Sequence, residues 1–423
     1  MGFTDFISLV ALYVEIGVLA YFDWKMWRTM YTPLNMLMLP YAFMLAVTLA
    51  MCGNFGVVDF YYPSLLVWMV GLPIFAIPSF FFGIAFRKKL AVESAGVIED
   101  NVNMDTLTIF TTVVVAAFIL RFISMVGSSP YLPGTEDFGY DYCGGGFWGH
   151  LHRVLHALSI IYIYKWDKKH WYYIFLIMGM FFVTLMYGVK SWVLIPAMAG
   201  FCMRLFAGKM QLKAGLVFKV LVFSFIVFFV TYSFSLVLGQ ENVATFDVIF
   251  EIIYQNFAHY VISGILGWSQ DLQLGILERG NFDVLLVNVL NLIYVVTGDE
   301  FVSPINDFFI HNGIKGSNVR AFFGTVYIHT TALQFFVVVT VVSAINYLVK
   351  LWAVKTRDFF VNLVYYFYLG MLCMGWFEIY FYHLQFFEVP AWIFILHLVF
   401  GKRKDEKALP GGKEPAMAES AGK

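Results

Sequence analysis

Two stretches of the chain place cations and histidines beside flexible turns, where they can meet an anion. The first is residues 143–153, with the sequence CGGGFWGHLHR, and His156 follows one turn later. Glycines at a helix start let backbone N–H groups approach an anion, and Arg153 adds a permanent charge. This pattern indicates a phosphate site that includes His152, although a glycine turn in an interfacial aromatic belt is the plainer interpretation. His152 and His156 would share a helix face, but with no cysteine or acid at ligand spacing we predict no metal.

The second stretch, NGIKGSNVRAFFGTVYIH, carries Lys315, Arg320 and His329 where the chain enters an apolar segment. Asp307 and His311 lie just upstream. A histidine or carboxylate beside two cations suits general base catalysis on an anionic substrate. For any single acid in this region, a solvated position on a loop is the plainer interpretation.

Membrane-spanning helices must position these stretches. Of the 423 residues, 61% are apolar and 13% charged, whereas a soluble domain carries about 25% charged residues. The composition excludes a soluble enzyme, a disordered chain and a secreted disulfide scaffold, and the net charge of −1 gives no reason to expect a nucleic-acid partner. Eleven apolar runs have a length that suits a bilayer, near residues 3–22, 33–52, 64–86, 107–126, 149–164, 171–187, 191–207, 215–238, 322–349, 359–382 and 386–400.

We therefore predict an all-α, polytopic membrane bundle of about eleven transmembrane helices. Residues 1–400 form one multi-span domain, and 401–423, which lack any apolar period, form a disordered cytoplasmic tail. Loops 127–148 and 239–321 are too long for simple connections. Two apolar helical patterns lie within the longer loop, at 247–268 and 282–297. We expect both at the outer interface or re-entering the bundle; as extra spans they would raise the count to thirteen and bury polar residues such as Glu251 in lipid.

The basic residues separate by membrane side. Loops after odd-numbered spans, with the tail, hold all but six of the 27 lysines and arginines, so that side is the cytoplasm. The N-terminus is then outside and the C-terminus cytoplasmic. The exceptions oppose the insertion bias and are candidates for function: Arg121, Arg153, Lys190, Arg279, Lys315 and Arg320.

Two of these cations lie within or beside a predicted span. An unpaired guanidinium is costly in lipid, so Arg121 is expected to pair with Glu15 or Glu378 or to face a polar cavity. Lys190 lies in a tight turn between two spans. A lysine that extends to the membrane interface is the plainer interpretation there.

Three short patterns resemble those of the O-antigen polymerases, which polymerise oligosaccharide repeat units of bacterial surface polysaccharides. NVRAFFGTVYIH at 318–329 is similar to the pattern that opens the span after that family's large periplasmic loop, with His329 in place of the usual Asp. GVKS at 188–191 looks like the family's Gly-Ser-Arg-Gly turn, with Lys190 in place of Arg. HYVISG at 259–264 looks like a Tyr-x-x-Ser-Gly stretch early in the same loop.

The resemblance implies transfer of a growing glycan from a polyprenyl diphosphate to the next lipid-linked repeat unit, at the outer face of the bacterial inner membrane and without cofactor or metal. The implied partners are the polyprenyl-diphosphate-linked oligosaccharide, membrane lipid, and chain-length regulator and flippase proteins. The predicted catalytic residues are Arg320, His311, His329 and Asp307. The predicted substrate-binding residues are Lys190, Arg153, Arg121, Lys315, Arg279 and His152.

Other functions fit the same features. An O-antigen ligase shares the multi-span plan and large outer loop but passes the glycan to lipid A core. A polysaccharide flippase or another transporter would place charged residues along several spans through to the cytoplasm, whereas Glu15, Arg121 and Glu378 are the ones clearly within predicted spans. A purely structural membrane protein leaves the outward cations unexplained.

Overall fold

The structure is a computed structural model that describes most of the chain. The described residues are 2–54, 56–93, 98–99, 101–133, 135–211, 213, 215, 222, 225–226, 229, 246–275, 281–303 and 308–402. Arg279, Asp307, most of the predicted span 215–238 and nearly all of the predicted tail 401–423 lie outside them.

Five helices of the described chain are long and apolar enough to cross a membrane, which needs about 20 residues. The all-α membrane class is therefore confirmed, while the count of eleven spans stays a prediction. The five are α1 (Phe3–Trp27), α2 (Pro33–Met51), α3 (Leu65–Glu93), α4 (Met104–Val126) and α12 (Ala332–Thr356).

Nine further α-helices and two short strands belong to the described bundle, and α9 and α10 fall on the two apolar patterns predicted in the longer loop. The helices are α5 (Glu136–Gly139), α6 (Gly146–Lys165), α7 (Tyr173–Met186), α8 (Ser191–Phe206), α9 (Phe246–Leu274), α10 (Val287–Thr297), α11 (Phe322–Ile328), α13 (Phe359–Cys373) and α14 (Gln385–Phe400). Two-residue strands β1 (Ile310–His311) and β2 (Gly316–Ser317) pair antiparallel.

The run predicted as one span, 322–349, is two helices. Thr331 starts α12 with a capping box: its hydroxyl accepts from the Gln334 N–H, and the Gln334 side chain accepts from the Thr331 N–H. Such a cap satisfies helix-end donors and so favours a new helix at this position. The chain therefore bends at His329, between α11 and α12.

The run predicted as a span at 359–382 stops being helical after Cys373. The following turns, named here the 374–384 segment, pass close to other elements: a side chain at Gly375 would collide with Leu37 of α2. The Gly375 carbonyl accepts from the N–H of Phe322. This close approach ties the segment to the start of α11.

The long loop covers one end of the bundle, which we name the loop end. The N–H of Val58 donates to the Asn312 carbonyl at 3.2 Å, and the Trp268 indole donates to the Ser64 carbonyl at 2.9 Å. Below this cap α3 packs against α1 and α12, and α8 packs against α6 and α13. The starts of α3, α6, α8 and α14 all reach the loop end.

Near the opposite end, the fully buried Asp23 joins four elements. Its carboxylate accepts hydrogen bonds from Thr32, Asn35, Ser79 and Tyr347. The buried Lys350 interacts electrostatically with Asp23 and donates to the Tyr31 carbonyl and the Tyr365 hydroxyl. Lys350 is one of the basic residues predicted on the cytoplasmic side, and Asp23 is not among the candidate residues. Neither lies in the middle of an apolar run of the sequence.

Candidate functional site

Helix α6 and the 374–384 segment meet around Trp192 of α8. Gly188 has a φ of +88°, and the turn it makes leads directly into α8, so Trp192 lies in the first turn of that helix. Its ring is 5.4 Å from the parallel ring of His156, 5.5 Å from Tyr380 and 5.9 Å from His383. The name Trp192 cluster is used here for Arg153, His156, Trp192, His383 and Glu388.

Arg153 of α6 is held by a neutral histidine. Its Nη1 donates to His152 Nδ1 at 3.0 Å, so the ring proton of His152 lies on Nε2, which is 3.3 Å from the Thr184 hydroxyl. The guanidinium also lies over the ring of Tyr187. With both nitrogens occupied and its side chain fully buried, His152 orients Arg153, which departs from its predicted role as a substrate contact.

Glu388, in the first turn of α14, supplies the negative charge. Its Oε1 lies 2.6 Å from His150 Nδ1, and its Oε2 lies 3.8 Å from Arg153 Nε, an ion pair without a hydrogen bond. A carboxylate near a helix N-terminus is stabilised by the helix dipole. α14 thus presents an acid to the two basic residues of α6.

Several polar atoms of the Trp192 cluster are buried with no hydrogen-bond partner in the described part of the chain. They are Arg153 Nε, both ring nitrogens of His156, His383 Nε2 and Glu388 Oε2. An unpaired buried polar group costs about 1–3 kcal/mol, and folded proteins keep few of them. Their concentration where α6, α8, α14 and the 374–384 segment come together is what a site completed by a polar ligand requires.

Glu378 lies beside His383 in the 374–384 segment. The Tyr382 hydroxyl donates to Glu378 Oε1, and His383 Nε2 is 3.7 Å from the same oxygen. A carboxylate next to an imidazole is an arrangement that can orient a general base. Glu378 therefore does not pair with Arg121, which was one of the three options that the sequence left open for this arginine.

Arg121 takes backbone partners in place of an acid. Its Nε donates to the Tyr142 carbonyl at 2.8 Å and its Nη2 to the Asp141 carbonyl at 2.7 Å, with the guanidinium 4.8 Å from the Trp148 ring. Carbonyl dipoles satisfy the charge without a carboxylate. Arg121 anchors the turn that precedes α6.

A second group gathers basic side chains from three separated parts of the sequence. His259 of α9 is half-buried, which lowers its pKa, and the nearby charges of Lys315, His311 and Lys190 lower it further. The Asn312 amide donates to His259 Nδ1 at 2.9 Å, which opposes part of this shift. These four basic residues are named the basic rim, and they bring together three residues that the sequence analysis singled out.

The basic rim and the Trp192 cluster are contiguous. Lys190 precedes Trp192 by two residues, and the ring of Tyr260 stacks on that of Phe377 at 4.3 Å. Lys315 Nζ donates to Asn256 Oδ1 at 2.5 Å, which holds the lysine against α9. Cations thus lie beside a buried polar cluster that contains the carboxylate of Glu388 and adjoins that of Glu378.

Arg320 is committed to partners within the protein. Its Nε and Nη2 donate to the carboxylate of Asp271, and its Nη1 donates to the carbonyls of Ser317 and Val319. The remaining N–H is 3.5 Å from the Phe308 carbonyl. This departs from the predicted catalytic role of Arg320, because the buried guanidinium instead fastens the loop to α9.

His329 lies at the break between α11 and α12, where burial lowers its pKa and keeps the ring neutral near pH 7. The residues that follow it border an apolar cavity of about 530 Å³ between α3, α9 and α12. Leu66 and Val70 of α3 line this cavity and are more than half exposed. The cavity therefore opens toward the lipid-facing side of the bundle.

Sequence reasoning missed His383 and Glu388 and gave His259 no role. The signal was present: Glu378, His383 and Glu388 recur every five residues in an aromatic stretch. An intramembrane or interfacial acid is rare enough to indicate function. Because the stretch was divided between two predicted spans, the repeat went unused.

Comparisons with known proteins give a family but no characterised relative. A family model described as "Family of unknown function (DUF6337)" matches residues 56–406. No curated protein and no solved structure matches the chain. No group of three or more histidine, cysteine or acidic residues with a metal-binding arrangement occurs among the described residues.

Proposed function

This chain belongs to DUF6337, a family of unknown function, and we propose from the geometry of its site that it polymerises polyprenyl-diphosphate-linked oligosaccharide repeat units. It would act as a membrane glycosyltransferase at the outer face of a bacterial inner membrane. The loop end would face outward, with the N-terminus outside, the C-terminus in the cytoplasm and about eleven spans. The resemblance to O-antigen polymerases supports this assignment.

The observation that carries the proposal is the meeting of the basic rim with the Trp192 cluster. A lipid diphosphate leaving group needs fixed cations, which Lys190 and Lys315 supply. Transfer to a sugar hydroxyl needs a base, and His383 beside Glu378 has the chemistry for it, with an unpaired ring nitrogen. His311 is the other candidate base because it belongs to the basic rim.

The apolar cavity gives a second line of support. A polyprenyl chain is a hydrocarbon, and a half-open cavity lined by Leu66, Val70 and Phe335 beside the loop end offers it a surface. The charged head would then lie at the loop end with the chain in lipid. The partners of this reaction are the lipid-linked oligosaccharide and membrane lipid, with chain-length regulator and flippase proteins acting alongside.

The test is the length distribution of surface polysaccharide in a strain that lacks the gene. We expect single-repeat products in the deletion and a restored ladder on complementation with the intact chain. Complementation with the double variant Lys190→Gln, Lys315→Gln should lower polymer yield about a hundredfold, the effect of removing donors from a developing anion. Lys168→Gln, an exposed lysine far from the loop end, is the matched control. An unchanged ladder from the double variant, in a protein that reaches the membrane, would refute the assignment.

Two rival functions have distinct outcomes in the same experiment. Long polymer left on the carrier lipid would identify a ligase. Absence of repeat units at the outer face would identify a flippase or transporter. The observation that favours this rival is the burial of Asp23 and Lys350 far from the loop end, since charged residues within the membrane accompany transport paths.

A further inference from the structure

Helix α10 exposes a face that consists of apolar side chains. Val289, Leu292, Ile293 and Val296 recur on one side of the helix, with exposed fractions of 52%, 71%, 47% and 85%. Side chains at such spacing share a helix face. In water this uninterrupted apolar surface would be unfavourable, so something apolar must cover it.

The polar side chains of α10 face the protein. Asn288 donates to the Tyr382 carbonyl, and Asn291 exchanges two hydrogen bonds with the backbone of Val302, at 2.9 and 2.8 Å. Val287 is buried at the helix start. These contacts fix which side of the helix turns outward.

Continuity with the lipid-facing surface identifies what covers the apolar side. Tyr382 is followed by Leu384 and Phe387, which are 45% and 50% exposed, and α14 continues with the exposed Phe394 and Leu398. The apolar surface of α14 therefore leads to α10. Together with the 3-10 helix Phe282–Leu286 that precedes it, α10 forms an apolar helical run over Phe282–Thr297, which is shorter than the roughly 20 residues that a span needs.

Charges at the helix ends are consistent with a position along the membrane surface. Asp283 precedes α10, and Asp299 and Glu300 follow it at exposed positions. Acids at both ends keep the helix termini in water while the middle is apolar. The absence of lysine and arginine from the described residues 281–303 argues against attraction to anionic headgroups as the basis of attachment.

We propose that α10 lies in the surface of the lipid leaflet at the loop end, with Val289, Leu292, Ile293 and Val296 among the hydrocarbon chains and Asn288 fastening the 374–384 segment to it. The segment that carries Glu378 and His383 is then held at the lipid boundary. Resting on the proposed function, this position lets a lipid-linked substrate enter the site sideways from the leaflet.

The test measures the depth of α10 in the full chain, reconstituted into phosphatidylcholine vesicles. A fluorescent label is attached to Val296→Cys or Leu292→Cys in a Cys52→Ser background, because the other three cysteines are buried. We expect doxyl-labelled lipid to quench both labels at least twofold more than aqueous iodide does. The control label at Asp299→Cys should show the opposite order. Labels at 292 and 296 that iodide quenches as strongly as the control would overturn the proposal.

A second measurement tests the attachment to the site. Hydrogen exchange of residues 374–384 should become several-fold faster in Asn288→Ala. It should stay unchanged in Asn281→Ala, because the side chain of Asn281 bonds to Asp283 of its own turn and to no other described residue. Equal exchange in Asn288→Ala and the parent would refute the attachment. Neither readout depends on polysaccharide synthesis, so failure of the polymerase assignment and failure of this inference are separable.

Discussion

At the residue scale, Glu388 balances the charges of the Trp192 cluster. Arg153 is almost fully buried, and the carboxylate is the acid that reaches both Arg153 and His150. A buried guanidinium that loses its acid keeps the desolvation penalty without the compensating attraction. The position of Glu388 at the start of α14 therefore stabilises Arg153, because it brings the carboxylate within reach of the guanidinium.

Glu388→Gln should reduce both stability and polymer yield. A hydrogen bond to a charged group contributes about 1.5–3 kcal/mol, so we expect a loss of that order in the free energy of unfolding. Thermal unfolding in detergent micelles measures it. The control is Glu300→Gln, an exposed loop acid, and equal unfolding temperatures for the two variants would contradict the role of Glu388.

His259 should make stability depend on pH. Because burial and neighbouring cations lower its native pKa, the unfolded chain takes up a proton below about pH 6.5 that the native state does not. Stability therefore falls as the pH drops below that value, until the native pKa is reached. Unfolding temperatures at pH 7.5 and 5.5 should differ less in His259→Gln than in the parent. An equal difference in His259→Gln and the parent would contradict the lowered pKa of His259.

At the scale of elements, the site depends on how closely α9 approaches the 374–384 segment. A Cβ atom at Gly264 would lie 2.2 Å from the Phe377 carbonyl oxygen and 2.5 Å from that of Trp376. The Gly264 carbonyl also accepts from the Ala321 N–H at 2.8 Å. The absence of a side chain at 264 therefore allows the basic rim to meet the Trp192 cluster.

Gly264→Ala should push these elements apart. Overpacking of a closely packed contact costs typically about 1–3 kcal/mol, and here the obstructing atoms are backbone. We expect a lower unfolding temperature and a shortened polysaccharide ladder. Gly17→Ala, on an open face of α1 with nothing within 4 Å, should be neutral or slightly stabilising. Similar behaviour of the two variants would contradict the close approach.

At the scale of the whole molecule, the two ends of the bundle are built differently. The loop end holds polar atoms with unfilled hydrogen-bonding capacity, whereas Asp23 accepts four hydrogen bonds from side chains of α2, α3, α12 and the α1–α2 connection. Asn35 Oδ1 is buried without a hydrogen-bond partner in the described part of the chain, but the Asp23 carboxylate itself is fully engaged, and such a buried network stabilises one arrangement of helices. The incomplete network at the other end is the one suited to a ligand.

A double-mutant cycle on Asp23 and Lys350 tests the structural role of the hydrogen-bond network around Asp23. Asp23→Asn or Lys350→Met alone leaves one buried charge without its opposite, and should destabilise the protein by about 3–5 kcal/mol. The double variant should lose less than the sum of the two single losses. Thermal unfolding of the four proteins gives the coupling, and additive losses would show that the two residues act independently.

The sequence alone determined the membrane class and the presence of α9 and α10 inside the long loop, because the length and period of apolar runs are local properties. The sequence also identified Lys190 and Lys315 as candidates, because they oppose the insertion bias, and His311, because it lies just before the chain enters an apolar segment. It missed the breaks after Ile328 and Cys373, where tertiary contacts override an apolar run.

Only the tertiary structure decided which side chains face one another. Arg320 meets Asp271, 49 positions away, and His150 meets Glu388, 238 positions away. From the sequence alone, each cation could have paired with any of several acids. Arg121 binds backbone carbonyls in place of the acids expected for it. The pairings followed from close helix approach at positions such as Gly264, because a charge removed from water must be met by whichever donor or acceptor the packing brings near it.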